Sequence, residues 1–239
     1  MNLLEIRKQF IKLSGRYDLV ADTIDYVDNG ANFYINESCR FLDMRTPSLN
    51  SEDSAFYAVM KDEYFVEIAT MRVLKEVWFY DDAGRVQLEE IPKKNLRNLF
   101  PLLLSASSEG IPAVYAPVRA KSRTATSPSD FHLGLISTNT NINAVLFPKV
   151  DRSGWIEVVG KFFSNTLDDD IDENYWSIHY PMLLVWAALY HMEVAHRNRE
   201  GAGDWMSAIV DQLAQIEMDF VEEQSYNVRQ LGAYENSPE

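Results

Sequence analysis

The sequence predicts an α+β protein: an antiparallel helical bundle built from N- and C-terminal helices, combined with an antiparallel β-sheet region in the middle of the chain. Two observations carry that expectation. Residues 1–50 and 166–226 space their apolar side chains at three and four, the helical period, whereas 51–165 is rich in β-branched and aromatic residues in short runs broken by turn formers. A composition that is 46% apolar and 12% aromatic over 239 residues is that of a chain with enough volume for a packed core.

The first element places Leu3, Ile6, Phe10 and Leu13 on one stripe, with Arg7, Lys8 and Lys12 away from it. Asn2 is positioned to cap it with Glu5 reaching back, and Gly15 to end it. Its interleaved charges read as an amphipathic helix and not a signal peptide, so folding in a cytoplasm is expected. A second helix is expected from about Asp28 to Leu42, with Ile35, Cys39 and Leu42 on one side, before Thr46-Pro47 breaks the chain. Cys39 is the single cysteine, which excludes an intramolecular disulfide.

From Phe56 to Ile91 the pattern predicts three or four antiparallel strands, with Asp81-Asp82-Ala83-Gly84 as the turn between VLKEVWFY and RVQLEEI. A short helix is expected over Lys93–Leu104, then strands from Pro112, Ile142 and Trp155. Ala120 to Asp130, rich in Ser, Thr and Pro, reads as an exposed loop. Near the end, Pro181 can open a helix whose run Met182–Tyr190 is apolar on every face. That run is far short of the roughly 20 residues of a membrane span. Gly201-Ala202-Gly203 is expected to break the chain, Asp204 to cap the next helix, and Met206, Ile209, Leu213, Ile216 and Phe220 to form its buried stripe. Residues 227–239 read as a mobile tail.

The formal net charge of −14 opposes nonspecific coating of nucleic acid, which requires a basic surface to displace counterions. No catalytic, cofactor or metal residue is assigned. Of His132, His179, His191 and His196, the last lies three residues after Glu193, but one such pair falls short of a di-metal motif. His191 and His196 are five apart, about 140° round a helix, which is not the HExxH spacing. The cluster Asp168, Asp169, Asp170, Asp172 and Glu173 reads as a solvated loop before a helix N-terminus rather than a magnesium site. There is no GxSxG elbow, P-loop or dinucleotide fingerprint. The basic cluster Arg119, Lys121 and Arg123 flanks the Ser/Thr loop.

The order of these pieces resembles the head-to-tail adaptor (connector, or neck) proteins of tailed bacteriophages. The match runs through LLEIRKQFIKLSGRYDLV (Leu3–Val20), YINESCRFLDMRT (Tyr34–Thr46) and the G-x-P-x-x-Y of Gly110–Tyr115. It is most distinctive in WIEVVGKFFSNTLDDDIDENY (Trp155–Tyr175) and HYPMLLVWAALYHMEVAHRNREGAGDW (His179–Trp205). The latter has a proline-started apolar helix, a glutamate near its end, and a second helix carrying a tryptophan. The Ser/Thr-rich stretch Ser122–Asn143 departs from the family pattern. The resemblance implies a structural virion protein, not an enzyme, that forms a ring, generally dodecameric, at the head–tail junction. Its partners would be the portal protein, tail or nozzle proteins and copies of itself, with DNA passing through the channel and no membrane involved. Asp168, Asp169, Asp170, Arg119, Lys121 and Arg123 are then candidates for channel or interface charge. Val228, Leu231 and Tyr234, at helical spacing, are candidates for docking on the portal. The competing readings are a metal-dependent hydrolase or nuclease using the acidic cluster, and a regulatory binding module.

Overall fold

A computed structural model describes residues 1–46, 52–99, 108–119 and 142–235, the far part of the last helix by its backbone. The protein is mixed α+β with predominantly antiparallel sheets, and its chain divides into two units. Met1–Leu49 and Ser164–Glu239 form a helical unit, and Asn50–Phe163 form a β unit inserted between its halves.

In the helical unit, α1 (Leu3–Ser14) starts on the Asn2/Glu5 capping box and ends at Gly15, whose φ of 68° is the left-handed conformation that glycine adopts without a Cβ penalty. Its buried face is Leu3, Ile6, Arg7, Phe10 and Ile11. Leu13 is 51% exposed, so the stripe rotates away from it toward Arg7, which is buried because its guanidinium is fully engaged (below). A 3-10 turn at Tyr17–Leu19 leads to α2 (Ala31–Arg45). Asp28 Oδ1 accepts the N–H groups of Gly30 and Asn32 ahead of it. Ile35, Cys39 and Leu42 are buried on α2, as the spacing predicts.

The apolar helix α5 (Pro181–Ala195) follows a short α4 (Tyr175–His179) and packs against α1, α2 and α6. Leu183, Leu184, Val185, Ala187, Ala188, Leu189 and Met192 are all buried on it. Burying each large aliphatic side chain contributes about 1.5–3 kcal/mol. The break before α6 (Arg199–Glu235) comes earlier than Gly201-Ala202-Gly203. It lies at His196–Asn198, where Arg197 takes φ 60° and Asn198 Oδ1 accepts the Gly201 N–H. Gly201 therefore sits in the first turn of α6 and Gly203 at the start of the second, and Asp204 is inside the helix. Residues 227–235 continue α6 and are not an irregular tail. Helix propensity and the i,i+3 and i,i+4 neighbours of a long helix carry through a segment with no strong stripe of its own. Among the described residues, no helix is long and apolar enough to cross a membrane.

The β unit holds two four-stranded sheets. The first has the order β1 (Glu52–Val59), β10 (Gly154–Phe162), β3 (Met71–Asp81), β4 (Gly84–Gln87). The second is β2 (Phe65–Ile68), β8 (Ile142–Phe147), β7 (Val114–Arg119), β5 (Glu89–Glu90), and a small pair joins β6 (Glu109–Gly110) to β9 (Lys149–Val150). Both sheets contribute to one core that includes Ile68, Val77, Phe79, Tyr115, Leu146, Ile156 and Val158. The β3–β4 hairpin turns at Asp81–Gly84 as expected. Residues 52–91 form five strands rather than three or four, and three of them pair outside the segment: β1 with β10, β2 with β8, and β5, in parallel, with β7. The first and last strands of the insert therefore zip together, from Glu52 opposite Lys161 to Val59 opposite Gly154. The helix after Pro92 is α3 (Lys93–Leu99). The rest of its expected span, and the loop Ala120–Asp130, lie outside the described residues.

Candidate functional site

The acidic turn ahead of α4 is organised by its own carboxylates and by α1. Asp172 Oδ2 accepts the N–H groups of Asp168 (2.9 Å) and Asp169 (2.8 Å). Those bonds favour the ionised form and lower the Asp172 pKa. The N–H groups of Leu3 and Leu4, unpaired within α1 because they open the helix, donate to the carbonyls of Asp172 and Asp170. Arg7, 2% exposed, donates to Asp170 Oδ1 at 2.8 Å and also to the Tyr26 carbonyl and Asn32 Oδ1. Asp170, its side chain half-exposed, thus takes part in an ion pair that fastens the turn to α1. The side chains of Asp168 and Asp169 face solvent.

Glu193 and His196 do not converge. Glu193 accepts from Asn198 Nδ2 at 2.8 Å, while His196 lies against Arg16, whose guanidinium also grips Asp18 at 2.7 Å. The bond from Arg16 lowers the Asp18 carboxyl to about 2. Among the described residues, no group of three His, Cys, Asp or Glu side chains is placed to hold a metal ion. Cys39 is buried beside Asn174 Nδ2 (3.3 Å), and burial pushes its thiol up to about 12, so it is not a nucleophile at neutral pH. Of the basic cluster, Arg119 ends β7 opposite Ile142. Its side chain, and the whole of Lys121 and Arg123, lie outside the described residues.

Of the portal-docking candidates, Val228, Leu231 and Tyr234 are placed by their backbone on the far part of α6. The buried stripe of that helix is Ala202, Ile209, Leu213 and Ile216, with Met206 half-buried. Ile216 is the last buried side chain described on it. Beyond Ile216, Met218 is 71% and Val221 63% exposed. At about 1.5 Å per residue, α6 is roughly 55 Å long and α5 roughly 22 Å, so α6 outruns the helix it packs on by about 30 Å.

A second feature is one that the sequence reading missed. On the outer face of the first sheet, Ala58, Trp155 and Tyr80 stand side by side across three strands, next to the row Phe56, Glu157 and Trp78. The Tyr80 hydroxyl donates to Glu157, Trp78 Nε1 donates to Glu76 at 3.0 Å, and the Arg85 guanidinium lies 5.3 Å from the Trp78 ring centre. Where this face reaches the hairpin, Met60, Tyr80, Asp81, Ser153 and Trp155 line a recess of about 420 Å³. Asp81 Oδ1 accepts the turn N–H groups of Ala83 (2.8 Å) and Gly84 (3.1 Å). Its Oδ2 has no hydrogen-bond partner, although the side chain is only 7% exposed. Among the described residues, Arg152 Nη1 lies 3.7 Å from it as an ionic neighbour. The available signal was the run VWFY, Val77–Tyr80, which places aromatics on both parities of a strand whose one face fills the core.

No protein-family model matches the chain, and no curated protein matches its sequence.

Proposed function

We propose that this chain is a structural virion protein, the head-to-tail adaptor of a tailed bacteriophage. In this reading it has no chemistry of its own and forms a ring, dodecameric in the virion, between the portal and the tail or nozzle proteins. The observation that carries the reading is α6: a helix far longer than its packing partner, with Met218 and Val221 exposed beyond Ile216 among the described side chains, while its backbone stays regular to Glu235. Such an arm presents a preformed helix to a groove on another protein, and Val228, Leu231 and Tyr234 are the anchors proposed for the portal. The helices of the two chain ends, packed as an antiparallel bundle, would be the rigid base from which the arm extends. Asp168 and Asp169, together with the net charge of −14, suit a wall past which DNA slides without being gripped. Arg119, Lys121 and Arg123 would meet an acidic patch of a neighbouring subunit or the tail.

Because α6 is already helical, docking avoids much of the ordering cost, about 1–2 kcal/mol per residue, that an irregular tail would incur. The experiment is to delete residues 226–239 and mix the truncated protein with purified portal rings or emptied heads. The full-length protein is expected to assemble on them and the truncated protein to remain free. Normal assembly by the truncated form removes the arm from the mechanism. In this reading the ring closes only on the portal, and a stable ring formed by the full-length protein alone would remove that dependence.

A further inference from the structure

We propose that the outer face of the first sheet is a carbohydrate-binding platform, on which Trp155 and Phe56 stack the rings of a neutral β-1,4-linked glycan while Glu157 accepts its hydroxyl groups. The proposal goes beyond the adaptor reading: it needs only the β unit, and its failure leaves that reading untouched.

The strand register sets the platform out. Ala58, Trp155, Tyr80 and Arg85 form one row across the four strands, Phe56, Glu157, Trp78 and Gln87 the next, and Ser54, Val159 and Glu76 a third. The residues between them along β3 and β10 (Val77, Phe79, Ile156 and Val158) fill the core, so these rows face outward. On this face Phe56 is 56% and Trp155 54% exposed, whereas Trp78 and Tyr80 are half-buried. The two exposed rings stand diagonally on neighbouring strands, about 7 Å apart at the backbone. Ala58, beside Trp155, is too short to cover the indole. Tyr80 meets Phe56 edge to face, 6.0 Å between ring centres, and its hydroxyl donates to Glu157 Oε2. That bond fixes the carboxylate beside both exposed rings, and a carboxylate has a second oxygen to accept with. Past Trp155 the face runs into the recess lined by Met60, Ser153 and Asp82, where the end of a chain can be held.

The pattern decides the occupant. Rings alternate with hydrogen-bonding side chains instead of forming one apolar patch, which suits a ligand with apolar faces and polar edges. A pyranose with its substituents equatorial is such a ligand. Its axial C–H groups meet the negative face of an aromatic ring, while the hydroxyls round its edge donate to carboxylate. A β-1,4 linkage joins such rings into an extended ribbon that a sheet face can support. Single-stranded nucleic acid would also stack, but its phosphates require cations. These rows carry Glu76 and Glu157, with Asp82 at the recess, against an Arg85 already placed 5.3 Å from the Trp78 ring centre. A second copy of the chain would need about 800 Å² on each partner. Three rows across four strands offer on the order of 300 Å².

The test uses the full-length protein with cellotetraose and chitotetraose as probes, and the acyclic polyol glucitol, at matched hydroxyl concentration, as control. Calorimetry gives the affinity. The indole N–H resonance of Trp155, assigned by its loss in Trp155→Tyr, gives the place. At least one tetrasaccharide is expected to bind saturably and shift that resonance, and glucitol to leave it unmoved. Trp155→Ala should weaken binding at least about tenfold, and Trp155→Tyr, which keeps a ring, much less. Glu157→Gln should weaken it roughly fivefold, because the acceptor loses its charge. Phe56→Ala should also weaken it, and since Phe56 and Trp155 are exposed, both alanine variants should keep the parent's thermal midpoint. Failure of both tetrasaccharides to bind, an equal response to glucitol, or parental affinity in both Trp155→Ala and Phe56→Ala would each overturn the proposal. A shift of the same resonance by oligothymidylate and not by the saccharides would overturn it in favour of single-stranded nucleic acid. Broadening with protein concentration alone would overturn it in favour of a second copy.

Discussion

Asp43→Asn tests how much of the helical unit's cohesion rests on one carboxylate. Asp43, on α2, is 8% exposed. Its Oδ1 accepts from Trp176 Nε1 (2.7 Å) and Ser164 Oγ (2.8 Å), and its Oδ2 from the Ser164 backbone N–H (2.8 Å). It thereby ties α2 to the chain returning from the β unit and to the fully buried Trp176. An asparagine that keeps its oxygen toward Trp176 and Ser164 Oγ turns its NH₂ toward the Ser164 N–H, donor against donor. The loss is one charge-assisted bond, about 1.5–3 kcal/mol, plus an unsatisfied buried donor at about 1–3 kcal/mol. The two bonds that remain also lose their charge assistance. The expected destabilisation is therefore about 3–5 kcal/mol, a large share of the 5–15 kcal/mol that holds a typical domain together. Urea denaturation followed by tryptophan fluorescence measures it, with Ser164→Ala as a milder companion costing about 1 kcal/mol. A midpoint for Asp43→Asn within about 1 kcal/mol of the parent would refute the reasoning, because the carboxylate would then be replaceable by any acceptor.

Four further outcomes are expected. Asp170→Asn should cost about 1–2 kcal/mol in thermal or chemical denaturation, between the values of exposed and buried pairs, since Asp170 is half-exposed while Arg7 is not; an unchanged midpoint would return Asp170 to the free surface. His191 is partly buried between Phe41 and Tyr190, and desolvation lowers its pKa below the ordinary 6.5. The unfolded chain therefore binds this proton more readily, and stability should fall as pH drops through 6.5. His191→Leu should flatten that part of the profile, and stability curves at pH 7.5 and 5.5 compare the two. Cys39 should resist thiol reagents in the native protein and react on unfolding, as a raised thiol pKa and burial require. Gly154→Ala should destabilise the β unit, because a Cβ there would lie 2.5 Å from the Tyr80 carbonyl oxygen; normal thermal stability would show that β10 can move away from β3.

Local rules were enough for the elements whose signals are local. The Asn2/Glu5 box, the Gly15 stop, the Pro181 start and the Asp81–Gly84 turn each depend on residues within one turn of chain. What failed was non-local. The burial of Arg7 depends on Asp170, far along the sequence, so no stripe on α1 could reveal it. The strand pairings were illegible for the same reason: β1 meets β10 only after the whole insert has been threaded. The two glycines of α6 misled because glycine is tolerated near a helix N-terminus, while the actual break used the left-handed Arg197. For the candidate sites, the acidic turn was visible as composition but not as a fastening for α1. The recess at Asp81 depends on three strands brought together, and only the aromatics on both parities of β3 hinted at it.

The pairing of β1 with β10 also bears on how the chain is put together. Strands in an antiparallel ladder run about 5 Å apart, so the two points at which the β unit leaves and rejoins the helical unit are held at the width of a tight turn. To the helical unit the whole insert then looks like a short connection, whatever its length, and the entropy of closing a long loop is met inside the insert by its own ladder. The β unit is in that sense a cassette. It can vary in size and sheet face without altering the spacing between α2 and α4, and a brief linker spanning Glu52 to Lys161 should let the helices find one another without it.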